Sequence, residues 1–429
     1  MPTDHPQQNA IQTLPGPNDI LRSELTNGIV ALSRANPNSP SVAISGFVHA
    51  GALFDPDDKL GLADFTAAAL MRGTQQHSFQ EIYDLLESCG ASLGFSSGTH
   101  TVSFSGKALA EDLELILSLL NEALRQPTFP GEHVERLRTQ LLTHLAIRAQ
   151  DTAEMASLVF DKLVYGQHPY SRPEDGYPET IQAIRREHLF AFHQRHYGPR
   201  GMVIAITGGI EPQAAIEATR RIFENWQNPD QPDPYQLPPL QPLDSIKREK
   251  ITLPGKSQAD LLIGAAGPAR TSPDFLPASI GNSILGQFGM MGRIGKSVRE
   301  RAGLAYYAAS GLSGGPGPGP WSISAGVDPE NVEKAIELIL KEVAHFTAEL
   351  VSDEELSDVQ TNFIGRLPLS LESNSGVAAA LIRLERYQLG LDYYQRYPDL
   401  IRAVEAEQIL EVAQKYLDVN RLAIAIAGP

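Results

Sequence analysis

The segment TVSFSGKALAEDLELILSLLNEAL, residues 101–124, carries the pattern that decides the fold. Polar and apolar residues alternate around Val102 and Phe104, which predicts a strand paired with the preceding SLGFSSGTH segment. A helix follows, and its apolar residues recur at spacings that place them on one face. These residues are Leu113, Ile116, Leu117, Leu120 and Leu124. The segment therefore predicts a strand followed by an amphipathic helix that packs on a sheet.

The same order of elements returns in the second half of the chain. Residues 321–343, WSISAGVDPENVEKAIELILKEV, predict a strand and a helix whose apolar residues repeat the spacing: Val332, Ala335, Ile336, Ile339 and Val343. Each half then closes with a helix that ends in a tyrosine and with a short apolar strand. The offset from Leu113 to Val332 is 219 residues, and so is the offset from Tyr197 to Tyr416. This repetition predicts two homologous α+β domains in tandem, each a mostly antiparallel sheet with helices packed on one face.

Proline content places the boundary between the two domains. Residues 228–244 contain six prolines and cannot form a regular helix or a central strand. We therefore expect a linker over residues 228–246, a first domain over 21–227 and a second domain over 247–429. Residues 1–20 are expected to be a disordered lead-in. Within the first domain, one continuous helix is predicted from Ile181 to Tyr197.

Charge and composition exclude several classes of function. The formal net charge of −16 argues against non-specific binding of nucleic acid, which needs a cationic surface. No apolar run is long enough to predict a membrane-spanning helix. The first residues carry neither a cationic stretch nor an apolar core typical of a signal peptide, so a cytoplasmic location is expected. The single cysteine, Cys89, excludes an internal disulfide bond and a zinc cluster built from cysteines.

Two motifs resemble functional sites but are incomplete. His193 and His196 lie three residues apart on a predicted helix, but two imidazoles without a third ligand do not make a zinc site. The segment GMMGRIGKS, residues 289–297, ends like a phosphate-binding loop, but Met290 stands where that motif needs a glycine. The run SGGPGPGPW, residues 313–321, cannot be helical. It joins two strands or, alternatively, forms a flexible lid.

Arg299 and Tyr306 form a sharper candidate pair, in the segment VRERAGLAYY. The pattern predicts a helix, a stop at Gly303 and a strand with Tyr306 near its start. This arrangement can bring both side chains to one cavity, where a guanidinium and a phenol can donate hydrogen bonds to a carbonyl or an oxyanion. A surface arginine and a core tyrosine are the alternative interpretation.

The sequence also resembles a known family. The segment VHAGALFDPDDKLGLADFTAAALMRGT, residues 48–74, is similar to the hallmark segment of the pitrilysin and mitochondrial processing peptidase family, the inverzincin zinc peptidases. Its matching flanks are Gly51, Gly61, Ala63, Phe65, Gly73 and Thr74. The segment ILGQFGMMGRIGKSVRERAGLAYY is similar to the family segment that carries a substrate-binding arginine and tyrosine. The resemblance covers nearly all of residues 23–428.

The residues that bind zinc in this family are missing here. Active members carry H-x-x-E-H, in which two zinc ligands flank a glutamate base. Those three positions fall on Asp64, Ala67 and Ala68, and the third ligand, a glutamate, falls near His144. Alanine can neither bind a metal nor move a proton, so the resemblance implies no zinc in this chain and no catalytic residue of its own.

The pair Arg299 and Tyr306, by contrast, keeps the seven-residue separation of the family pattern. In two-subunit members, one subunit holds zinc and the other supplies this arginine and tyrosine. The resemblance therefore implies a non-catalytic subunit of a heterodimeric peptidase, which acts on a peptide substrate together with a zinc-bearing partner of the same fold. A non-enzymatic scaffold or peptide-binding protein of this fold is one alternative, and a self-sufficient enzyme that uses another site is a second.

Overall fold

The protein, seen in a computed structural model that describes residues 14–429, consists of two compact units. The first unit contains the described part of Met1–Leu145 together with Pro173–Gln236 and Leu367–Arg396. The second unit contains Ala146–Arg172, Leu237–Arg366 and Tyr397–Pro429. Each unit thus takes a segment from the opposite half of the chain. The domain boundaries at 21–227 and 247–429, which come from the sequence repeat, stay a prediction. The two compact units differ from these domains because each contains exchanged segments.

The first unit is built on a sheet of six strands in the order β1-β2-β6-β3-β5-β4. All neighbouring pairs are antiparallel except β2 and β6, which are parallel. The strands are β1 Leu21–Glu24, β2 Val30–Ala35, β3 Ser41–Val48, β4 Ser92–Ser97, β5 Val102–Leu109 and β6 Val203–Gly208. Strand β6 is buried along its whole length because it lies in the middle of this sheet.

The helices of the first unit pack mainly against one apolar face of its sheet. In chain order they are α1 Leu62–Ala69, α2 Phe79–Ser88, α3 Leu113–Arg125, α4 Gly131–Arg148, α6 Pro178–Ala183, α7 Arg186–His196 and α8 Pro212–Phe223. The exchanged helix α13, Asn374–Arg386, contacts strands β2, β3 and β6. Asn374 in the first turn anchors this helix, because its side-chain amide donates to Ser39 Oγ and to the Ser41 carbonyl, both at 3.0 Å.

The second unit repeats this design with five strands in the order β7-β11-β8-β10-β9. Only the pair β7 and β11 is parallel. The strands are β7 Lys247–Thr252, β8 Ala259–Ala266, β9 Ala305–Leu312, β10 Pro320–Val327 and β11 Ala423–Gly428. The order β2-β6-β3-β5-β4 of the first sheet corresponds strand by strand to this order, so the predicted two-domain α+β fold is confirmed.

The second sheet is covered on both faces, so the expectation of helices on one face only is wrong for this unit. Leu261, Ile263 and Ile424 point to one face, where they join the core formed with most helices of the unit. Those helices are α9 Phe275–Gly286, α10 Phe288–Ile294, α11 Val332–Phe346, α12 Asp353–Ser370, α14 Tyr393–Arg402 and α15 Ala406–Tyr416. Leu262 and Ala425 point to the other face, where the exchanged helix α5, Thr152–Tyr165, packs. The alternation of side chains along each strand explains this two-sided burial.

Two segments, residues 1–20 and residues 228–246, are predicted to lack helices and strands. Residues 1–13 of the expected lead-in lie outside the described residues, whereas residues 14–20 are folded, with Leu14 and Ile20 buried. Residues 228–246 contain neither helix nor strand. Within residues 14–429, no helix is both long and apolar enough to cross a membrane.

Candidate functional site

Helix α1, which carries the degenerate metal-motif positions, begins at a tightly specified turn. Gly61 precedes it with φ of 90°, a conformation that favours glycine. The buried carboxylate of Asp55 accepts hydrogen bonds from the amides of Gly61 and Ala63, each at 2.8 Å. These bonds satisfy two of the free amides at the start of the helix, and the negative charge suits the helix dipole. The backbone that would present metal ligands is therefore well ordered.

The side chains at the motif positions do not fit a zinc ion. Ala67 is buried and Ala68 is half-buried, and neither has an atom that can bind a metal. His144 on α4 is exposed, and its Nε2 lies 3.7 Å from Asp175 Oδ2. Across residues 14–429, no group of three or more histidine, cysteine, aspartate or glutamate side chains is arranged to hold a metal.

Asp64 lies in an acidic cluster with Asp175 and Glu174. Burial raises the pKa of Asp64 to about 6, and the charges of Asp175 and Glu174 add to this rise, while His144 opposes it. Beside Asp64, the hydroxyl of Tyr197 is buried and finds no hydrogen-bond partner among residues 14–429. An ionised carboxylate under these conditions is costly at neutral pH.

We expect Asp64→Asn to stabilise the protein at neutral pH. The folded state holds the Asp64 proton up to about pH 6, whereas the unfolded chain loses it near pH 3.8. The contribution of Asp64 to the free energy of unfolding is therefore complete below pH 3.8 and is lost as the pH rises to about 6. In urea unfolding, the free energy of unfolding of the variant should exceed that of the wild type by roughly 1–3 kcal/mol at pH 7.5 and by little at pH 4.

The matched control is Asp58→Asn, which removes an exposed carboxylate paired with Lys59. The pKa of Asp58 is lowered by its hydrogen bond to Lys59, so this substitution should act with the opposite sign and weakly. A gain for Asp64→Asn that is equal at pH 4 and pH 7.5 would contradict the assignment of a raised pKa.

Arg299 lies on a π-helix, Gly295–Arg301, that continues directly from α10. The π-helix ends in a turn at Gly303, whose φ is 63°. The Gly303 amide donates to the Arg299 carbonyl and the Leu304 amide to the Val298 carbonyl, both at 3.1 Å. In an α-helix that ends at a glycine, each of these two amides bonds to a carbonyl one residue nearer in the sequence. The longer reach here follows from the wider turn of the π-helix. The predicted helix, glycine stop and strand are confirmed, but the π conformation was not predicted.

Tyr306 lies on β9, an edge strand, and is 83% exposed. On the neighbouring strand β10, Gly326 pairs with Tyr307 and Val327 pairs with Ala305, so Tyr306 is the extra residue of a β-bulge. A bulge re-aims a side chain and commonly occurs beside functional sites. The alternative expectation of a core tyrosine at this position is therefore wrong, because the bulge turns its ring outward.

Arg299 and Tyr306 are both available as donors. Arg299 is half-buried, and neither side chain makes a hydrogen bond or an ion pair with the side chains that the structure describes. Arg293, on the same helical segment, is different, because it binds Glu355 through two bonds of 2.8 and 2.6 Å. The two candidate donors are thus not used in holding the second unit together.

The remaining motifs have structural roles. His193 Nε2 lies 2.9 Å from the Leu124 carbonyl, and burial lowers the pKa of His193 to about 4. His196 packs between Phe54 and Phe192, so these are core histidines. The run Ser313–Trp321 joins β9 to β10 and is anchored, because the Tyr165 hydroxyl donates to the Pro318 carbonyl at 3.0 Å.

Comparisons with known proteins agree with this fold. A family model described as Insulinase (Peptidase family M16) matches residues 30–166, and one described as Peptidase M16 inactive domain matches residues 183–363. The chain therefore belongs to the M16 peptidase family, the pitrilysin family indicated by the sequence. The first of these models spans helix α1, although its metal-motif positions hold Asp64, Ala67 and Ala68.

Several individual proteins are similar over nearly the whole chain. An uncharacterized zinc protease of Streptomyces coelicolor is 23% identical over 98% of this chain and 92% of its own length. A probable mitochondrial-processing peptidase subunit beta of Arabidopsis thaliana is 22% identical over 94% of this chain and 77% of its own length. The crystal structure of a peptidase M16 inactive domain from Pseudomonas fluorescens has a TM-score of 0.88 and 26% identity, covering 96% of this chain and 98% of the other.

A protease structure from Helicobacter pylori has a TM-score of 0.87. At 19% identity over 97% of this chain and all of the other, it supports the fold alone.

Proposed function

We propose that this protein is the non-catalytic subunit of a heterodimeric zinc peptidase, in which Arg299 and Tyr306 bind the carbonyl of a peptide held at the zinc site of a partner subunit. The partner carries the H-x-x-E-H motif and the metal. This chain contributes hydrogen-bond donors and closes the site.

The exposure of Tyr306 is the observation that carries this proposal. An aromatic ring at 83% exposure on a bulge contributes little to folding, yet the bulge places it there instead of in the core. Arg299, two residues before the end of the π-helix, is likewise unused by the described part of the chain. Two donors without a structural role, on one continuous helix–turn–strand segment, support a role in recognition.

The chemistry of the two side chains suits a tetrahedral intermediate. When water adds to a peptide carbonyl, the carbonyl oxygen becomes an oxyanion and accepts stronger hydrogen bonds. A guanidinium presents several N–H donors in a fixed plane and stays protonated, and a phenol presents one O–H donor. Arg299 would bind and orient the substrate carbonyl, and Tyr306 would donate to the charge as it develops. The partner's zinc would supply the activated water.

This division of labour agrees with the degenerate helix α1. Ala67 stands at the position of the base and Ala68 at the position of a metal ligand, so this chain cannot hydrolyse a peptide by the mechanism of zinc-bearing members. Several similar proteins are named zinc proteases, but this chain has alanine at two of the three motif positions. Here the loss of the metal site coincides with the retention of the donor pair.

A scaffold or peptide-binding protein of the same fold is the second candidate. It is favoured by the same alanines, which remove catalysis, and it predicts stable assembly with no cleavage by any pair of subunits. The retained Arg299 and the exposed Tyr306 argue against it, because a scaffold has no need of free donors at a bulge.

Affinity purification of the full chain, followed by identification of the proteins bound and by metal analysis, tests the proposal. We expect a protein with the H-x-x-E-H motif in a one-to-one complex, with one zinc per pair of chains. Assembly with that protein but without peptide cleavage would favour the scaffold. Stoichiometric zinc on this chain alone would overturn the proposal and favour a self-sufficient enzyme.

A further inference from the structure

Tyr307, the residue after Tyr306, lies in a row of residues that crosses three strands of the second sheet. Tyr307 on β9 pairs with Gly326 on β10, and Gly326 pairs with Asp260 on β8. The Tyr307 ring extends over Gly326, and its hydroxyl donates to Asp260 Oδ1 at 2.5 Å. A side chain at Gly326 would obstruct the ring, since a Cβ there would lie 2.5 Å from Tyr307 Cε1. The glycine is what lets Tyr307 reach the third strand.

Asp260 is the fixed end of this row. It is 2% exposed, and its Oδ2 accepts a hydrogen bond of 2.5 Å from the Thr152 hydroxyl at the start of α5. The amide of Gln258 donates to both carboxylate oxygens, at 3.1 and 3.2 Å. A buried carboxylate that receives several hydrogen bonds is held in one orientation, because each lost bond would leave a polar atom unsatisfied.

The row therefore holds the bulge that exposes Tyr306. Residues on either side of the bulge are fixed: Ala305 pairs with Val327, and Tyr307 is bonded to Asp260. Tyr306 lies between them without a partner on β10, on the outer edge of the sheet. If Tyr307 were released, the bulge could move by one residue along β9, and the ring of Tyr306 would turn to the other face of the sheet.

We propose that Tyr307 and Asp260 are positioning residues that hold Tyr306 in the orientation needed to bind the substrate carbonyl. This inference rests on the proposed function. It adds a role for a buried polar row whose members do not touch the substrate.

A double-substitution cycle on peptide cleavage by the full two-chain complex tests this inference. Tyr307→Phe removes one hydroxyl and should lower kcat about 10-fold with a smaller change in KM. The reason is that a displaced Tyr306 would lose a hydrogen bond that it makes mainly in the transition state. Tyr306→Phe should lower kcat further. The double variant should be no slower than Tyr306→Phe alone, because Tyr307 acts only through Tyr306.

Tyr416→Phe is the matched control. The Tyr416 hydroxyl also donates to a carboxylate in the same unit, Asp274 Oδ2 at 2.7 Å, but it belongs to helix α15. This substitution should leave kcat unchanged. Asp260→Asn, which keeps an acceptor for Tyr307, should retain more activity than Asp260→Ala.

Two outcomes separate failure of the inference from failure of the proposed function. If Tyr306→Phe lowers kcat but Tyr307→Phe does not, or if their effects multiply, Tyr307 does not position Tyr306 and only the inference fails. If Tyr306→Phe has no effect, the donor role itself is wrong, and the inference fails with it.

Discussion

Arg299→Ala in the assembled two-chain complex is expected to lower kcat for peptide cleavage by about 10²–10³-fold, the usual cost of removing a donor to an oxyanion. The reason is that the guanidinium would meet the substrate carbonyl where negative charge develops, in a site closed to water. Truncation should leave folding nearly intact, because Arg299 makes no hydrogen bond or ion pair with the side chains that the structure describes. The measurement is steady-state cleavage with kcat and KM determined separately.

Arg301→Ala is the control for this result. Arg301 lies two residues further along the same π-helix and is exposed, so its loss removes an equal charge without removing the proposed donor. Cleavage by the Arg301→Ala complex should stay close to wild type. Equal losses for both variants would indicate a general effect of charge, and no loss for Arg299→Ala would contradict its role in binding the carbonyl.

Asp55→Ala is expected to lower the free energy of unfolding by about 2–4 kcal/mol, because it leaves two buried amides without acceptors and removes a charge at a helix start. The amides are those of Gly61 and Ala63, at the helix that carries the former metal positions. Urea unfolding of the isolated chain measures the loss. Asp55→Asn, which keeps one acceptor oxygen, should recover part of it.

Asp151→Ala provides the comparison for an exposed cap. Asp151 accepts a single hydrogen bond of 3.0 Å from the Glu154 amide at the start of α5 and lies in solvent. Water can replace it, so its loss should cost about 1 kcal/mol or less. If Asp55→Ala costs no more than Asp151→Ala, the buried cap is not what orders helix α1.

The repeat could be predicted because it depends on local patterns. The apolar stripe of Val332–Phe346 and the alternation of Pro320–Val327 both occur in short segments, and the structure forms both elements. The same holds for the glycine stop before β9, since Gly303 adopts the left-handed conformation that its position requires. Features that depend only on residues nearby in the sequence can be predicted from the sequence.

Other features depend on residues that are distant in sequence. The predicted helix Ile181–Tyr197 is wrong as one element: it breaks into Pro178–Ala183 and Arg186–His196. Arg138 stabilises the break, because its Nη1 donates to the carbonyls of Ile181 and Ile184, both at 2.6 Å. Local periodicity carries no sign of such a bond.

The candidate site shows the same limit. The spacing of Arg299 and Tyr306 was readable, but the bulge at Tyr306 depends on pairing with Gly326 and Val327 on another strand. The row from Tyr307 to Asp260 was missed entirely, because its members are 47 residues apart. The only sequence signal was a polar Asp260 inside an apolar strand pattern, and a single buried polar residue does not name its partner.

We propose that this chain has lost its own metal chemistry and supplies donors to a partner that has kept it. The most direct measurement compares peptide cleavage by this chain alone, by the co-purified H-x-x-E-H partner alone, and by their mixture. We expect no cleavage by this chain, little by the partner, and a rate for the mixture that rises with added chain until the two are equimolar. Chelator-sensitive cleavage by this chain alone, or a partner as fast alone as in the mixture, would contradict it.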